Sequence, residues 1–384
     1  MSSFPSRANF RDRRHYVLAV GSELVAPALR IVARRLSRGA PTEPQTWRRA
    51  LIVGHGHIGD VLCQTVSLDA LARGLPECRF DYLTTPLAAE VLVGNPAIAH
   101  ILPWNSDSRP NAITADNVLK LRALSYDAIL CTNVVRHQEA LRLAFELRIP
   151  NRVAFVHRGL SGLVTLPVHL AAPTTPAAQS RLMAEAITGQ RDMSETRPRV
   201  FPSANDVADA DAEWVRLGLK TGDFVVICSA TTRQRIGNVP REFFESVLSS
   251  VQRIAPHAKI VLTGSGDDAP VLNAMATALG NGVVVSAGNL SLLGFAALLS
   301  RCNVHFCMDS GPRHLANAVG TPVVFTRNLA VRASEAGAYC PTEIDVMPEA
   351  SYLRPDQIAV MLSTLDRPEI AATIVRYARP VSSR

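Results

Sequence analysis

The chain has 384 residues, too many for one ordinary core, so two domains are expected. Hydrophobic residues at 47% and a mean hydropathy of +0.12 exclude a disordered chain. Aromatics at 5% leave too few rings for a platform that stacks single-stranded nucleic acid, so no nucleic-acid partner is expected. The net charge is +7, and much of the excess lies in the first fifty residues, where ten arginines face only Asp12, Glu23 and Glu43. Charge of this kind suits an anionic lipid or a charged glycolipid as well as nucleic acid, and does not choose among them.

Residues 1–49 read as a basic extension. From Val17 to Leu36 apolar residues recur at helical spacing beside a strip of arginines. Such a helix lies on an anionic membrane surface, or it packs on the main body with its arginines in water. The apolar span Tyr16 to Leu29 is short and carries Glu23 and Pro27, so it is not expected to cross a bilayer. No n-region, h-region and cleavage site open the chain, which argues against secretion by that route. The seven cysteines are odd in number, lack a CxxC pair and sit mostly in apolar runs. They read as buried thiols in a reducing, cytoplasmic compartment, with no zinc pattern and no metal or other cofactor expected.

The body alternates strands and helices. Strands are expected at Ala50–Val53, Arg79–Thr84, Ile98–Leu102 and Ala128–Thr132. Helices are expected from Asp60 to Arg73, from Pro86 to Val93, and from Ala115 to Leu124 with Thr114 as N-cap. A linker at Glu195–Arg199 precedes a second series. Its strands are Phe224–Cys228, Lys259–Thr263, Gly282–Ser286, Val304–Met308 and Thr321–Phe325, with helices at Arg241–Ile254, Leu272–Leu279, Leu292–Ser300 and Arg313–Val319. Successive βα units imply α/β architecture with parallel sheets covered on both faces. The expected division is 1–49, 50–195, 196–365 and a tail 366–384, with ligands at the carboxyl ends of the strands and in the cleft between two doubly wound domains.

Two turns carry chemistry. Asp309-Ser310-Gly311-Pro312 joins a strand to a short helix holding His314. Free backbone N–H groups and the positive helix end make such a turn an anion site suited to a nucleotide diphosphate. Gly54-x-Gly56-x-x-Gly59 has the spacing of a dinucleotide fingerprint, and Asp81 stands where its ribose-binding acid would fall. Asp60 directly after the last glycine argues against a pyrophosphate there. It holds a hydroxyl, or it only complements the helix dipole.

Ile58-Gly59-Asp60-Val61-Leu62, Gly94-Asn95-Pro96, Gly264-Ser265-Gly266-Asp267-Asp268, Gly288-Asn289-Leu290-Ser291, Met308-Asp309-Ser310-Gly311-Pro312-x-His314-Leu315-Ala316 and Gly320-Thr321-Pro322 together resemble the heptosyltransferases of glycosyltransferase family 9. The resemblance runs from about Ala50 to Val360 and implies a GT-B fold of two Rossmann-like domains facing across a cleft. It implies an inverting, metal-independent transfer of heptose or a related sugar from a nucleotide-sugar donor, ADP-heptose in the family, to a lipopolysaccharide core or other glycan. Asp60 would be the general base, with Gly59 and His57 beside it. Thr231, Arg233, Arg235, Asp268, Asp309, Ser310, Gly311 and His314 would bind donor. The chain departs from the family in three places. The phosphate-binding lysine of PGAxxxxKRWP falls at Gly237, so Arg233 or Arg235 would have to supply the charge. Arg313 stands where relatives often carry a smaller or apolar residue, and Asn328 where a glycine often follows the strand. A scaffold that binds nucleotide-sugar without turnover is the alternative that the missing lysine leaves open.

Overall fold

The computed structural model describes residues 5, 10, 13–54, 56–103, 115–132, 137–191, 197–232, 239–349 and 352–380. The chain forms two units, Met1–Thr196 and Arg197–Arg384. Each is built on a six-stranded sheet whose neighbouring strands are all parallel.

In the first unit the strands are β1 (Arg49–Val53), β2 (Arg79–Thr84), β3 (His100–Pro103), β4 (Ala128–Cys131), β5 (Asn151–Phe155) and β6 (Leu166–Val168), in the order β3-β2-β1-β4-β5-β6. The second unit has β7 (Val225–Ser229), β8 (Lys259–Gly264), β9 (Val283–Ala287), β10 (Val304–Met308), β11 (Val323–Thr326) and β12 (Glu343–Asp345), in the order β12-β11-β10-β7-β8-β9. Both orders are the doubly wound arrangement, in which the chain starts mid-sheet, runs to one edge, then returns to the middle and runs to the other. The reversal falls between β1 and β4 in one unit and between β7 and β10 in the other. These central strands are buried throughout, apart from the first residue of β1, and mostly apolar, with Ser229 and His305 as the buried polar residues, as helices on both faces require.

The helix expected from Asp60 to Arg73 is two helices, α3 (Ile58–Thr65, the third in the chain) and Leu68–Gly74. Side-chain hydroxyls explain the break. Thr65 Oγ1 donates to the Leu62 carbonyl at 2.6 Å and Ser67 Oγ to that of Gln64 at 3.1 Å, competing with the backbone ladder.

The N-terminal extension holds α1 (Arg13–Leu24) and α2 (Ala26–Leu36), bent by 72° between them. Among the described residues no single helix is long and apolar enough to cross a membrane. The pair docks on the loop before β6. Glu23 accepts the Ser161 N–H at 2.9 Å and the Ser161 hydroxyl, and Ser22 Oγ accepts the Leu160 N–H at 2.9 Å. Gly162 lies so close to the Ala26 backbone that any Cβ there would overlap it.

Residues 366–384, expected as a tail, include a helix, Arg367–Tyr377, that belongs to the core of the second unit. Asp366 caps it by accepting the Glu369 N–H at 3.1 Å. Its Ile370, Ala371 and Ile374 are buried in one cluster with Phe243, Phe244 and Val247 of the helix Arg241–Ile254. All seven cysteines are buried and unbridged, and burial pushes the thiols of Cys78, Cys131 and Cys302 up to about 12. Ile374 is fully buried, so Ile374→Ala should cost the second unit about 2–5 kcal/mol. Calorimetric unfolding should show one of two transitions moving down while the other stays in place.

Candidate active site

In the second unit, the carboxyl ends of three strands deliver the expected donor residues to one edge of the sheet. Thr231 follows β7, half-buried. Asp268 follows β8, Asp309 and Ser310 follow β10, and Gly311 opens the helix Gly311–Ala318 with His314 in its first turns. Thr231 and the Asp309 turn flank the point where strand order reverses, the place where open α/β sheets bind ligands. Ser310 is the N-cap in extended conformation and makes no side-chain cap bond. Of the first helical residues, Pro312 has no N–H and the Arg313 N–H donates to the Ser310 carbonyl at 3.1 Å, so the amide that the turn can offer a ligand is that of Gly311. Asp268 is engaged locally, where its Oδ2 accepts the Ser265 N–H at 2.7 Å and the Ser265 hydroxyl at 2.6 Å. Arg233 and Arg235 lie outside the described residues, as does His55.

Behind the turn sits a buried ionic network. Arg313, 1% exposed, meets Glu343 through Nε at 2.6 Å and Nη2 at 3.0 Å. Its Nη1 meets Asp309 at 2.7 Å, and it donates to the carbonyls of Ala336 at 2.8 Å and Gly337 at 2.7 Å. The guanidinium also lies 3.6 Å from the centre of the Phe325 ring. Burial pushes the Asp309 carboxyl above the usual range, with the Arg313 charge opposing. Burial also acts to raise Glu343, but Arg313 outweighs it and holds that carboxyl low.

His314 is set by the same network. Its Nδ1 lies 2.6 Å from the Tyr339 hydroxyl, and the two rings stack at 5.5 Å. Asn317 donates to the Tyr339 oxygen at 3.2 Å and to Glu343 at 2.5 Å. The Tyr339 hydroxyl thus ties the imidazole, through Asn317, to the Glu343 carboxylate. Burial, helped by Arg313, lowers the His314 pKa to about 3, so the ring is neutral at pH 7. His305 on β10, fully buried and bonded through Nε2 to Ser229 Oγ at 2.9 Å, is lowered to about 3 by burial alone.

In the first unit, Asp60 lies in the first turn of α3 at the carboxyl end of β1, preceded by Gly59 and by the exposed N-cap residue His57. Burial raises its pKa above the ordinary carboxylate value, and the attraction of His57 opposes that shift. The dinucleotide reading of this loop fails on two observations. Gly54 is required by the Tyr82 ring, which a Cβ at that position would overlap. Asp81 is fully buried within β2, level with Leu51 in the middle of β1 rather than at the carboxyl end, and is held by Arg49 at 2.6 Å, His100 at 2.9 Å and the Tyr126 hydroxyl at 2.8 Å. Its carboxylate is a structural ion-pair centre.

The sequence profile of "Glycosyltransferase family 9 (heptosyltransferase)" matches residues 120–326, more than half of the chain. The chain belongs to glycosyltransferase family 9. It is thus a glycosyltransferase by class. No curated protein matches its sequence. Among solved structures, a family 9 glycosyl transferase from Veillonella parvula superposes with a TM-score of 0.65 at 18% identity, covering 83% of this chain and 97% of the other. The ADP-heptose lps heptosyltransferase II of E. coli gives 0.65 at 16% identity, covering 86% and 98%. E. coli heptosyltransferase WaaC with ADP gives 0.63 at 18% identity, covering 86% and 100%. At these identities the likeness is one of fold, and it makes this glycosyltransferase a two-unit GT-B protein.

Sequence reasoning missed Glu343, Tyr339 and Asn317 as partners of the donor turn. Asn317 had a readable signal, three residues after His314 and therefore on the same helix face. Glu343 and Tyr339 lie in a stretch without periodicity and gave none.

The neutral histidines set a pH dependence. Unfolded, each titrates near 6.5; folded, each is lowered to about 3. The unfolded chain therefore binds more protons between these values. Stability from the neutral rings is complete above pH 6.5 and is lost progressively as pH falls towards 3. The calorimetric midpoint should drop from pH 7 to pH 4.5, and His305→Gln, which cannot be protonated, should make that drop shallower.

Proposed function

We propose that this family 9 glycosyltransferase moves a heptose or closely related sugar from ADP-heptose to a lipopolysaccharide core or another lipid-borne glycan, with inversion, at the inner face of the cytoplasmic membrane. The donor choice is supported by relatives described with ADP and with ADP-2-deoxy-2-fluoro heptose. The observation that carries the reading is Asp60, a carboxyl at the mouth of a helix whose proton affinity burial raises.

In the proposed reaction the acceptor hydroxyl gives its proton to Asp60 as its oxygen bonds to the anomeric carbon. The bond from that carbon to the diphosphate oxygen breaks on the opposite face, and ADP leaves. Its charge is met by the Gly311 amide at the helix start and by the neutral imidazole of His314 acting as a donor. Arg233 and Arg235 are proposed, from their place in the sequence, to supply the cation that a diphosphate calls for. The N-terminal helices are proposed to hold the enzyme at the lipid surface.

Replacing Asp60 with Asn should leave ADP affinity nearly unchanged and reduce turnover at least ~100-fold. Turnover equal to the parent with a cognate acceptor removes Asp60 from the reaction. On the donor side, His314→Ala and Asp309→Asn should each weaken ADP binding by about tenfold or more. Calorimetry with GDP and UDP alongside ADP would test both the residues and the base.

A further inference from the structure

The two N-terminal helices are packed inside out. The face that α1 and α2 turn to the first unit holds small or polar residues: Ala19, Glu23, Ala26 and Ala33 are buried, and Ser22 is half-buried. Tyr16, Val20 and Leu29 are half-buried, and most of the other large apolar side chains are outward. Val17, Leu18, Leu24, Val25, Ile31 and Val32 are exposed, with Leu18 at 70% and Ile31 at 58%. They form pairs at 17/18, 24/25 and 31/32, with the middle pair at the bend between the helices. A surface helix that only covers its own domain buries its large residues and exposes its small ones. Here the opposite holds, although the docking is well made. Arg152 of β5 donates to Ser37 Oγ at 2.7 Å just after α2, and Gly162 admits the Ala26 backbone.

Charge follows the same division. Glu23 is the one acidic residue of the two helices, and it is turned inward to Ser161. Arg13, Arg14, Arg30, Arg34 and Arg35 are exposed, so the outward surface is apolar and cationic with no carboxylate from either helix. The 72° bend also separates two helices of 12 and 11 residues, each too short to span a bilayer.

We propose that the outward face of α1 and α2 is an interfacial lipid-binding surface. Its paired apolar side chains enter the acyl boundary of an anionic bilayer, and its arginines meet the phosphate headgroups. The proposal deepens the membrane placement proposed above: it names the lipid chemistry as anionic, assigns the contact to named side chains, and makes the helices lie in the surface rather than cross it.

The test is flotation of the full chain with phosphatidylcholine vesicles, with and without about 30 mol% phosphatidylglycerol. The parent should float with the anionic vesicles and not with the neutral ones. A Leu18→Ser, Ile31→Ser, Val32→Ser variant and an Arg30→Gln, Arg34→Gln, Arg35→Gln variant should each lose at least about tenfold in partition. Thermal midpoint and ADP affinity should stay at parental values, because these side chains are exposed. Three results would overturn the proposal: no binding of the parent to anionic vesicles, equal binding to neutral ones, or undiminished binding by both variants. A concentration-dependent dimer in sedimentation, abolished by the serine substitutions, would assign the face to a second copy instead. ADP affinity separates the two readings. Failure to float with ADP binding intact removes the lipid surface alone, whereas flotation without nucleotide binding removes the donor reading.

Discussion

A buried guanidinium cannot be left short of partners, and in the second unit that requirement organises the carboxyl edge of the sheet at the Asp309 turn. Arg313 fills its donors with two carboxylates and two main-chain carbonyls drawn from three chain segments. It thereby ties the end of β10 to the start of β12, a strand of only three residues at the sheet edge. Through Glu343 the same charge holds Asn317 and the Tyr339 amide, and through them the imidazole of His314. Removing one member of such a network leaves an uncompensated charge in a low dielectric, a cost of about 3–5 kcal/mol. Arg313 is the point from which this turn is held.

Much of the fold was legible because parallel strands buried on both faces read as short apolar runs. The strands β1, β2, β4, β7, β8 and β10 all fell within a residue or so of their expected places. What sequence did not reveal had weaker signals. β6 has three residues with Pro167 at its centre, and β12 has three with acidic residues at both ends. The helix Arg367–Tyr377 opens on Asp366-Arg367-Pro368, which reads as a terminus as readily as a capped start. The helices at Ala204–Arg216 and Pro176–Thr188 carry many alanines and polar residues, which blunt the periodic pattern.

At the site, residues set by local strand–turn–helix geometry could be read: Asp60, Asp309, Ser310, Gly311 and His314 all stand at carboxyl ends of strands or in the helices that follow. The residues that orient them could not, because their link is tertiary. Tyr339 is 25 positions from His314, and Glu343 is 30 from Arg313. The glycine spacing of the first loop was legible as a motif but misleading as chemistry. A close-packed tyrosine explains Gly54 as fully as a pyrophosphate would.

The burial of all seven cysteines has a practical reach. A thiol reacts as its thiolate, and at pKa about 12 only about one in ten thousand is ionised at pH 8. Cys78, Cys131 and Cys302 are in that condition, and the remaining four are shielded by the same packing. The native chain is therefore nearly silent towards maleimides and slow to oxidise. A single cysteine placed on an exposed position would carry a fluorophore or spin label alone, without first stripping the protein of its own thiols.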